Sequence, residues 1–176
     1  MIQITKTRLD GVLVIEPKVF QDNRGVFYES YSKRIYHEAG IDADFVQDNH
    51  SVSQKGTLRG LHYQQGKGQA KLVRVTQGEV FDVIVDIRKD SPMFGQWEGI
   101  TLSANNFKQV YIPLGFAHGF LVLSDKAEFL YKCSNYYAPK EERGVRWNDP
   151  DIAVDWPIEN PILSEKDKSL PFLREI

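Results

Sequence analysis

The chain has 176 residues, of which 41% are hydrophobic and 12% aromatic, so it is long enough for one folded domain with a sizeable apolar core. Its formal net charge of −2 provides no general attraction to nucleic acid or anionic lipid, so any phosphate ligand would need locally placed Arg and Lys. Its first residues lack the basic start and long apolar run that are typical of a signal peptide, no apolar run is long enough to span a bilayer, and Cys133 is the single cysteine. We therefore expect one domain over residues 1–176, in the cytoplasm, with no membrane or nucleic-acid partner.

Short runs rich in Val, Ile, Phe and Tyr, separated by Gly, Asp, Asn and Pro, predict β-strands along most of the chain. Gln77-Gly78 is typical of a tight hairpin connection between two of these strands, and Ser124-Asp125 of a similar turn. In chain order the predicted strands are 12–16, 26–31, 45–53, 57–64, 72–76, 79–87, 95–102, 109–112, 119–123 and 128–135.

Only two short helices are predicted. The first covers residues 32–39, opening on the cap residue Ser32 and ending before Gly40, and the second begins at Ser164 and ends before Pro171. Many evenly spaced strands with so few helices favour an all-β barrel or jelly roll over a sheet built from βαβ units.

The predicted strand around His62 has the most chemical interest. Gly60, two residues before His62 and on the same face, is expected to leave space beside the imidazole, which in a barrel suggests a ligand cavity. The alternative is a core histidine held by hydrogen bonds, and this stretch alone favours that alternative. Regular alternation would place Arg59, Leu61 and Tyr63 on one face of the strand. The other face would carry Leu58, Gly60, His62 and Gln64.

Three further residues favour chemistry at His62. Tyr131 lies on another predicted strand, and a tyrosine with its usual pKa of about 10 is neutral at pH 7 and can donate a proton. Asp167 can orient an imidazole, although it also completes a Ser-x-x-Asp helix N-terminal box with Ser164. His118 lies between glycines, where the backbone can approach a ligand, or it is a loop histidine bonded to nearby carbonyls.

These residues fall within an ordered series of stretches that resembles the dTDP-4-dehydrorhamnose 3,5-epimerases. The resemblance covers nearly the whole chain in the expected order, and it is the series rather than any one motif that is specific. The matching stretches are 20–25, 45–51, 58–64, 78–83, 87–95, 115–120, 147–150 and 164–167.

The resemblance implies a cupin-type jelly roll, a homodimer, and an isomerase that acts on a dTDP-4-keto-6-deoxyhexose without metal or organic cofactor. It implies His62 as the base, Tyr131 as the acid, Asp167 as the partner of the base and Lys71 near the sugar ketone. Of the neighbours Tyr136 and Tyr137, one would stack on the thymine, for which we choose Tyr137, and the other would be a core residue. The positions that match nucleotide or sugar contacts are Arg24, Glu29, Gln47, Asn49, Arg59, His118, Glu142 and, less closely, Lys166.

The residue types suit that reaction. Epimerisation next to a ketone needs a base on one ring face, a proton donor on the other, and positive charge beside the enolate oxygen, which Lys71 can supply. Arg24 and Arg59 can bind the diphosphate, because a guanidinium matches phosphate oxygens in a fork. The alternative for Arg24 is a solvated turn residue, and Glu29 either accepts from the thymine imide or is a solvated strand residue.

A metal site is not expected. Metal-binding cupins use a His-x-His pair, whereas His62 is followed by Tyr63 and Gln64. A metal-dependent cupin is therefore disfavoured by its ligand count. The residues leave two competing functions open, namely an epimerase that inverts only C3 or only C5, and a sugar-binding module that has lost turnover.

Overall fold

The computed structural model describes residues 2–176 and consists mainly of antiparallel strands. The two short helices are α1 (Lys33–Glu38) and α2 (Glu165–Lys168), and a 3₁₀ turn follows at Leu173–Glu175. The strands are β1 (Ile2–Lys6), β2 (Leu13–Pro17), β3 (Phe20–Asp22), β4 (Gly25–Phe27), β5 (Gln47–Gln54), β6 (Leu58–Gln64), β7 (Lys71–Gln77), β8 (Glu79–Asp86), β9 (Trp97–Ser103), β10 (Gln109–Ile112), β11 (Phe116–Val122), β12 (Lys126–Cys133) and β13 (Glu142–Gly144).

The strands form two facing sheets and one separate hairpin. The six-stranded sheet has the order β1-β2-β10-β7-β12-β5, the five-stranded sheet has the order β13-β6-β11-β8-β9, and β3 pairs only with β4. The central pairs are nested, since β8 pairs with β9, β7 with β10, β6 with β11 and β5 with β12. A long hairpin folded over into two sheets in this way is a jelly roll, so the predicted all-β jelly roll is confirmed. The two sheets remain separate and do not close into one hydrogen-bonded barrel.

The predicted hairpin at Gln77-Gly78 is wrong. This dipeptide joins β7 in the six-stranded sheet to β8 in the five-stranded sheet, so the two strands it connects do not pair with each other. Ser124-Asp125 makes the same kind of crossing from β11 to β12. Gly78 has a φ of +76°, and a side chain there would collide with the backbone of Lys126. A tight turn is therefore present, but it connects the two sheets.

Several element boundaries also differ from expectation. The predicted strand 26–31 is reduced to Gly25–Phe27, paired with β3 outside both sheets. Helix α1 begins after Ser32, whose side chain makes no capping hydrogen bond. The short strands β1, β3 and β13 were not predicted. β13 carries the predicted site residue Glu142 and pairs with β6 at the position of His62.

The apolar side chains form three clusters. The inner core lies between the sheets and combines residues such as Val73 and Phe129 from one sheet with Ile84 and Phe120 from the other. A second cluster covers the outer face of the five-stranded sheet with the C-terminal segment, and a third packs α1 against the six-stranded sheet through Tyr36. Within residues 2–176, no helix is both long and apolar enough to cross a bilayer.

Candidate active site

The strand that carries His62 is irregular, and this changes which side chains share a face. His62 lies opposite His118 on β11, whereas Arg59 lies opposite Phe120, so two residues of β6 face the single residue Gly119. This is the arrangement of a β-bulge, which redirects the side chains that follow it. The predicted alternation is therefore wrong at this point, and both Arg59 and His62 line the same cavity.

Gly60 has a different role from the one expected. It does not open a gap beside the imidazole, because the space that its side chain would fill is occupied by the backbone of Gly119 on β11. Its φ of +132° lies in the region that favours glycine. The missing side chain therefore allows a close approach of two strands at the bulge.

A cavity of about 390 Å³ lies between the two sheets, within the range of small-molecule sites. A second recess of about 350 Å³ adjoins it and shares His62, Lys71 and Tyr131. Every predicted site residue except Arg24 and Glu29 lines one of the two. The larger cavity has His62, Lys71, Tyr131, Asp167, Arg59, His118 and Lys166 in its wall, and the recess adds Gln47, Asn49, Tyr137 and Glu142.

The predicted partner of His62 lies next to it. His62 Nε2 is 2.6 Å from Asp167 Oδ1, and Asp167 is buried. Both expectations for Asp167 hold together, since its backbone N–H donates to the capping Ser164 Oγ while its side chain turns towards the imidazole. Burial opposes ionisation of Asp167, but hydrogen bonds from His62, Ser164 and Gly60 outweigh it and lower the pKa of the carboxyl below 3.8. The carboxylate is therefore charged at neutral pH and can stabilise a protonated His62.

We expect Asp167→Asn to lose stability in a pH-dependent way. Because the folded pKa of Asp167 is depressed, its contribution is fully present above the unfolded value of 3.8 and is lost as the pH falls through the lower folded value. At pH 7 the variant should lose about 1 to 3 kcal/mol of unfolding free energy, and the difference from wild type should shrink below about pH 4. Urea unfolding at pH 7 and pH 3 measures both.

The matched control is Glu165→Gln, on the same helix, where the carboxylate is exposed and pairs with Lys168. This variant should remain within about 0.5 kcal/mol of wild type at either pH. A constant deficit for Asp167→Asn across the pH range would contradict the assignment of Asp167 as an ionised partner of His62.

Lys71 and Tyr131 face the cavity from adjacent strands of the six-stranded sheet. Lys71 Nζ lies 5.9 Å from the centre of the Tyr131 ring. Burial lowers the pKa of Lys71, and the charges of Asp82 and Glu142 act in the opposite direction. Burial also raises the pKa of Tyr131 above 10.0, so the phenol keeps its proton at neutral pH. The cavity therefore contains a proton donor and a nearby amine on the wall opposite β6.

His118 forms a second imidazole–carboxylate pair, which was not predicted from the sequence. His118 Nε2 lies 2.8 Å from Asp82 Oδ2, and both residues are buried. Burial lowers the pKa of His118 and outweighs the opposing effect of Asp82, so the imidazole is neutral at pH 7. The available signal was a carboxylate in the otherwise apolar run of β8 between Val80 and Val85. His118 is thus bonded to a side chain rather than to loop carbonyls.

The carboxylate of Glu142, which lines the recess, bonds to two other predicted site residues, Lys166 and Tyr137. Lys166 Nζ lies 2.5 Å from Glu142 Oε2, and the Tyr137 hydroxyl donates to the same oxygen. Burial would raise the pKa of Glu142, but the bonds from Lys166 and Tyr137 reverse this and lower it. Neither Tyr136 nor Tyr137 is a core residue, because both are largely exposed. The expectation that one of them is buried is therefore wrong.

Arg24 and Glu29 are the two predicted site residues outside the cavities. Arg24 lies at the tip of the β3–β4 hairpin, where its exposed guanidinium pairs with Asp22 at 2.6 Å. Glu29 follows the end of β4 and is not on a strand. Within residues 2–176, no group of three or more His, Cys, Asp or Glu side chains is arranged to hold a metal ion.

Comparison with known proteins identifies the family. A family model described as dTDP-4-dehydrorhamnose 3,5-epimerase matches residues 6–175. The enzyme of that name from Shigella flexneri is 56% identical over 168 residues, covering 94% of this chain and 93% of the relative. The crystal structure of a Legionella pneumophila 3,5-epimerase in complex with dTDP-4-keto-L-rhamnose superposes with a TM-score of 0.97 at 52% identity, covering 100% of this chain and 95% of the other.

A structure of ChmJ, a 3′-monoepimerase from Streptomyces bikiniensis, in complex with dTDP-quinovose is also similar, with a TM-score of 0.90 at 37% identity over 96% of this chain and 86% of the other. The family match extends over almost the whole sequence, and the fold and cavity described above agree with it. The chain belongs to the dTDP-4-dehydrorhamnose 3,5-epimerase family.

Proposed function

We propose that the chain is an isomerase that converts dTDP-4-dehydro-6-deoxy-D-glucose to dTDP-4-dehydro-L-rhamnose by inverting C3 and C5. The observation that supports the proposal is an imidazole and a phenol on opposite walls of one cavity, where they can act as base and acid. His62 is on β6 of the five-stranded sheet, and Tyr131 is on β12 of the six-stranded sheet. A hexose held between them meets a base on one ring face and a proton donor on the other.

The proton transfers follow from this placement. Nε2 of His62 is engaged by Asp167, so Nδ1 is the nitrogen that takes the proton from the carbon next to the C4 ketone. The electron pair of the broken C–H bond delocalises onto the ketone oxygen, where the amine of Lys71 stabilises the enolate. Tyr131 then donates its hydroxyl proton to the opposite face of the carbon. Solvent restores the proton on Tyr131 and removes the one on His62.

Because C3 and C5 both flank the C4 ketone, one enolate site and one acid–base pair can serve both centres if the sugar ring shifts between the two steps. The nucleotide is assigned to the remaining cavity residues. Arg59 Nε donates to Ser53 Oγ at 3.1 Å, which leaves its two terminal nitrogens for the diphosphate. The other proposed contacts are Gln47, Asn49, Glu142 and Lys166, with His118 at the hexose and Tyr137 stacked on the thymine.

The test is the configuration of the product. Incubation of the substrate with the purified chain in buffered water containing a chelator should give a product inverted at both C3 and C5, read from proton NMR coupling constants. The ChmJ relative makes single inversion at C3 the second candidate. Inversion at C3 only would support that candidate, inversion at C5 only would support the other single epimerase, and binding without any conversion would support the sugar-binding module.

We also propose that the functional unit is a homodimer in which the β3–β4 hairpin reaches the cavity of the partner. The hairpin carries Arg24 and, just beyond it, Glu29, neither of which lies at the cavity of its own chain. Its apolar side chains are unusually exposed for a folded protein, with Phe27 at 72% and Phe20 at 54%. A two-fold dimer would bury these side chains and bring both polar residues to a substrate.

Mixing two defective variants tests the dimer. Arg24→Ala/Glu29→Ala should weaken nucleotide binding, because it removes the contacts made by the hairpin. His62→Asn should be inactive, because it removes the proposed base. If each cavity uses the partner's hairpin, a refolded equimolar mixture should regain about one quarter of wild-type turnover at low substrate concentration, because half of the dimers are hybrids with one intact site. Light scattering gives the oligomeric state. A monomer, or a mixture no more active than its components, would contradict the proposal.

The cytoplasmic location remains a prediction. It is supported by Cys133, which is buried as a free thiol on β12 and fits a reducing compartment.

A further inference from the structure

Asp82 stands out among the side chains of the inner core. It lies on β8 between Val80 and Ile84, both of which are core residues, and it is 0% exposed. Oδ2 bonds to His118, but Oδ1 is buried without any hydrogen-bond partner among residues 2–176. A carboxylate with one unsatisfied oxygen is thus held on a strand between two aliphatic core residues.

Such a residue is not explained by stability. A buried polar atom without a partner loses its hydrogen bonds to water and forms none within the protein, which costs folding free energy. Replacement of buried ion pairs by apolar residues of similar size is often neutral or stabilising. Val80 and Ile84, which flank position 82 on the same strand, are both aliphatic members of the inner core. The carboxylate is therefore better explained by what it does to His118 than by the fold.

Asp82 determines which atoms His118 offers to the cavity. A charged carboxylate only accepts hydrogen bonds, so the neutral imidazole must carry its proton on Nε2 and donate it to Oδ2. Nδ1 is then a bare acceptor. The ring is also held by stacking on Phe129, with centroids 6.0 Å apart and planes 27° apart. With its tautomer and its plane both fixed, His118 can accept a hydrogen bond from a sugar hydroxyl but cannot donate one to the ketone.

We propose that Asp82 is a positioning residue that acts through His118, fixing its imidazole as an acceptor for a hydroxyl of the hexose. This inference rests on the proposed function, because it assumes that the cavity holds the hexose of a sugar nucleotide. It adds a recognition rule to that function, namely that the hexose is bound at His118 through a hydroxyl hydrogen and not through its carbonyl.

Asp82→Asn tests the inference, because asparagine keeps the shape but can also donate to Nε2 and so admit the wrong tautomer. At pH 7 we expect kcat/KM for the sugar nucleotide to fall about 10- to 100-fold, with the Kd of dTDP unchanged within about threefold, since dTDP has no hexose. Nitrogen-15 NMR should show His118 protonated on Nε2 alone in wild type and on a mixture of both nitrogens in the variant.

Two controls separate positioning from structure. Asp86→Asn removes an equally buried carboxylate from the same strand, one bound by Arg88 and Ser91 and outside both cavities. It should lower the denaturation midpoint and leave kcat/KM of the folded protein unchanged. Asp82→Asn should leave the midpoint unchanged or raise it. If the asparagine variant does not fold, Asp82→Leu replaces it and should show the same loss of kcat/KM.

The double variant Asp82→Asn/His118→Gln decides whether Asp82 acts through His118. Its kcat/KM should match that of His118→Gln alone within about threefold. A further tenfold loss in the double variant, an unchanged His118 tautomer in Asp82→Asn, or wild-type kcat/KM in Asp82→Asn would each overturn the inference. Failure of the proposed function is a separate result, because it would appear as absent turnover in the wild-type chain.

Discussion

Replacing His62 with asparagine is expected to lower turnover about 10²- to 10⁴-fold, the usual range for loss of a positioned acid–base group. Asparagine is similar in size to imidazole and can still bond to Asp167, but it cannot accept a proton at neutral pH. The Kd of dTDP should stay within about threefold of wild type, because the proposed nucleotide contacts lie on other side chains. Product formation followed by NMR and dTDP titration by calorimetry measure the two quantities.

The matched control is His37→Asn. His37 is on α1, lines neither cavity, and has Asp44 3.7 Å from its Nε2. Full turnover is expected in this variant. If His62→Asn folds, binds dTDP and retains more than about a tenth of wild-type turnover, another group is the base and the assignment fails.

Replacing Tyr131 with phenylalanine should separate proton removal from inversion. The variant lacks the hydroxyl that delivers a proton to the second ring face, so product formation should fall about 100-fold or more. His62, on the opposite wall, can still remove a proton and return one to the same face. In D₂O the unconverted substrate should therefore gain deuterium without inversion, which NMR detects in the same sample as the missing product.

Tyr111→Phe is the control for Tyr131→Phe. Tyr111 is a partly buried tyrosine on β10 that packs in the cluster under α1, outside both cavities. It should behave as wild type in both measurements. A Tyr131→Phe variant that inverts the substrate at the normal rate would show that the second proton comes from elsewhere. Loss of exchange together with inversion would show that Tyr131 also acts in proton removal.

Much of the fold was predictable because local composition and tertiary structure agree along most strands. Val, Ile, Phe and Tyr runs mark β8 and β12, and both strands were predicted to within a few residues. The connections were less predictable. Gln77-Gly78 has the composition of a hairpin turn, but whether two consecutive strands pair or cross between sheets depends on contacts made by β9 to β12 much later in the chain. The residue types of a turn determine where the chain bends, but they do not determine which strands pair with each other.

The site was predicted by resemblance more than by pattern. Strand alternation placed Arg59 and His62 on opposite faces, because a period of two assumes a regular strand, and the bulge opposite Gly119 brings them to one side. Asp82 was missed because its one signal, an aspartate in an apolar run, does not say whether the side chain is a buried partner of histidine or an edge residue. Arg24 and Glu29 lie outside both cavities of their own chain, and the role that the dimer proposal gives them depends on a second chain, which no pattern within one chain specifies.

Double epimerisation in a single cavity requires proton exchange next to the C4 ketone at both ring centres, with His62 and Tyr131 acting from opposite walls. Proton NMR of dTDP-4-dehydro-6-deoxy-D-glucose incubated with the wild-type chain in D₂O measures this exchange directly. We expect the product to carry solvent deuterium at both C3 and C5. Label at one centre only would contradict double epimerisation, and no label at either would contradict the enzyme itself.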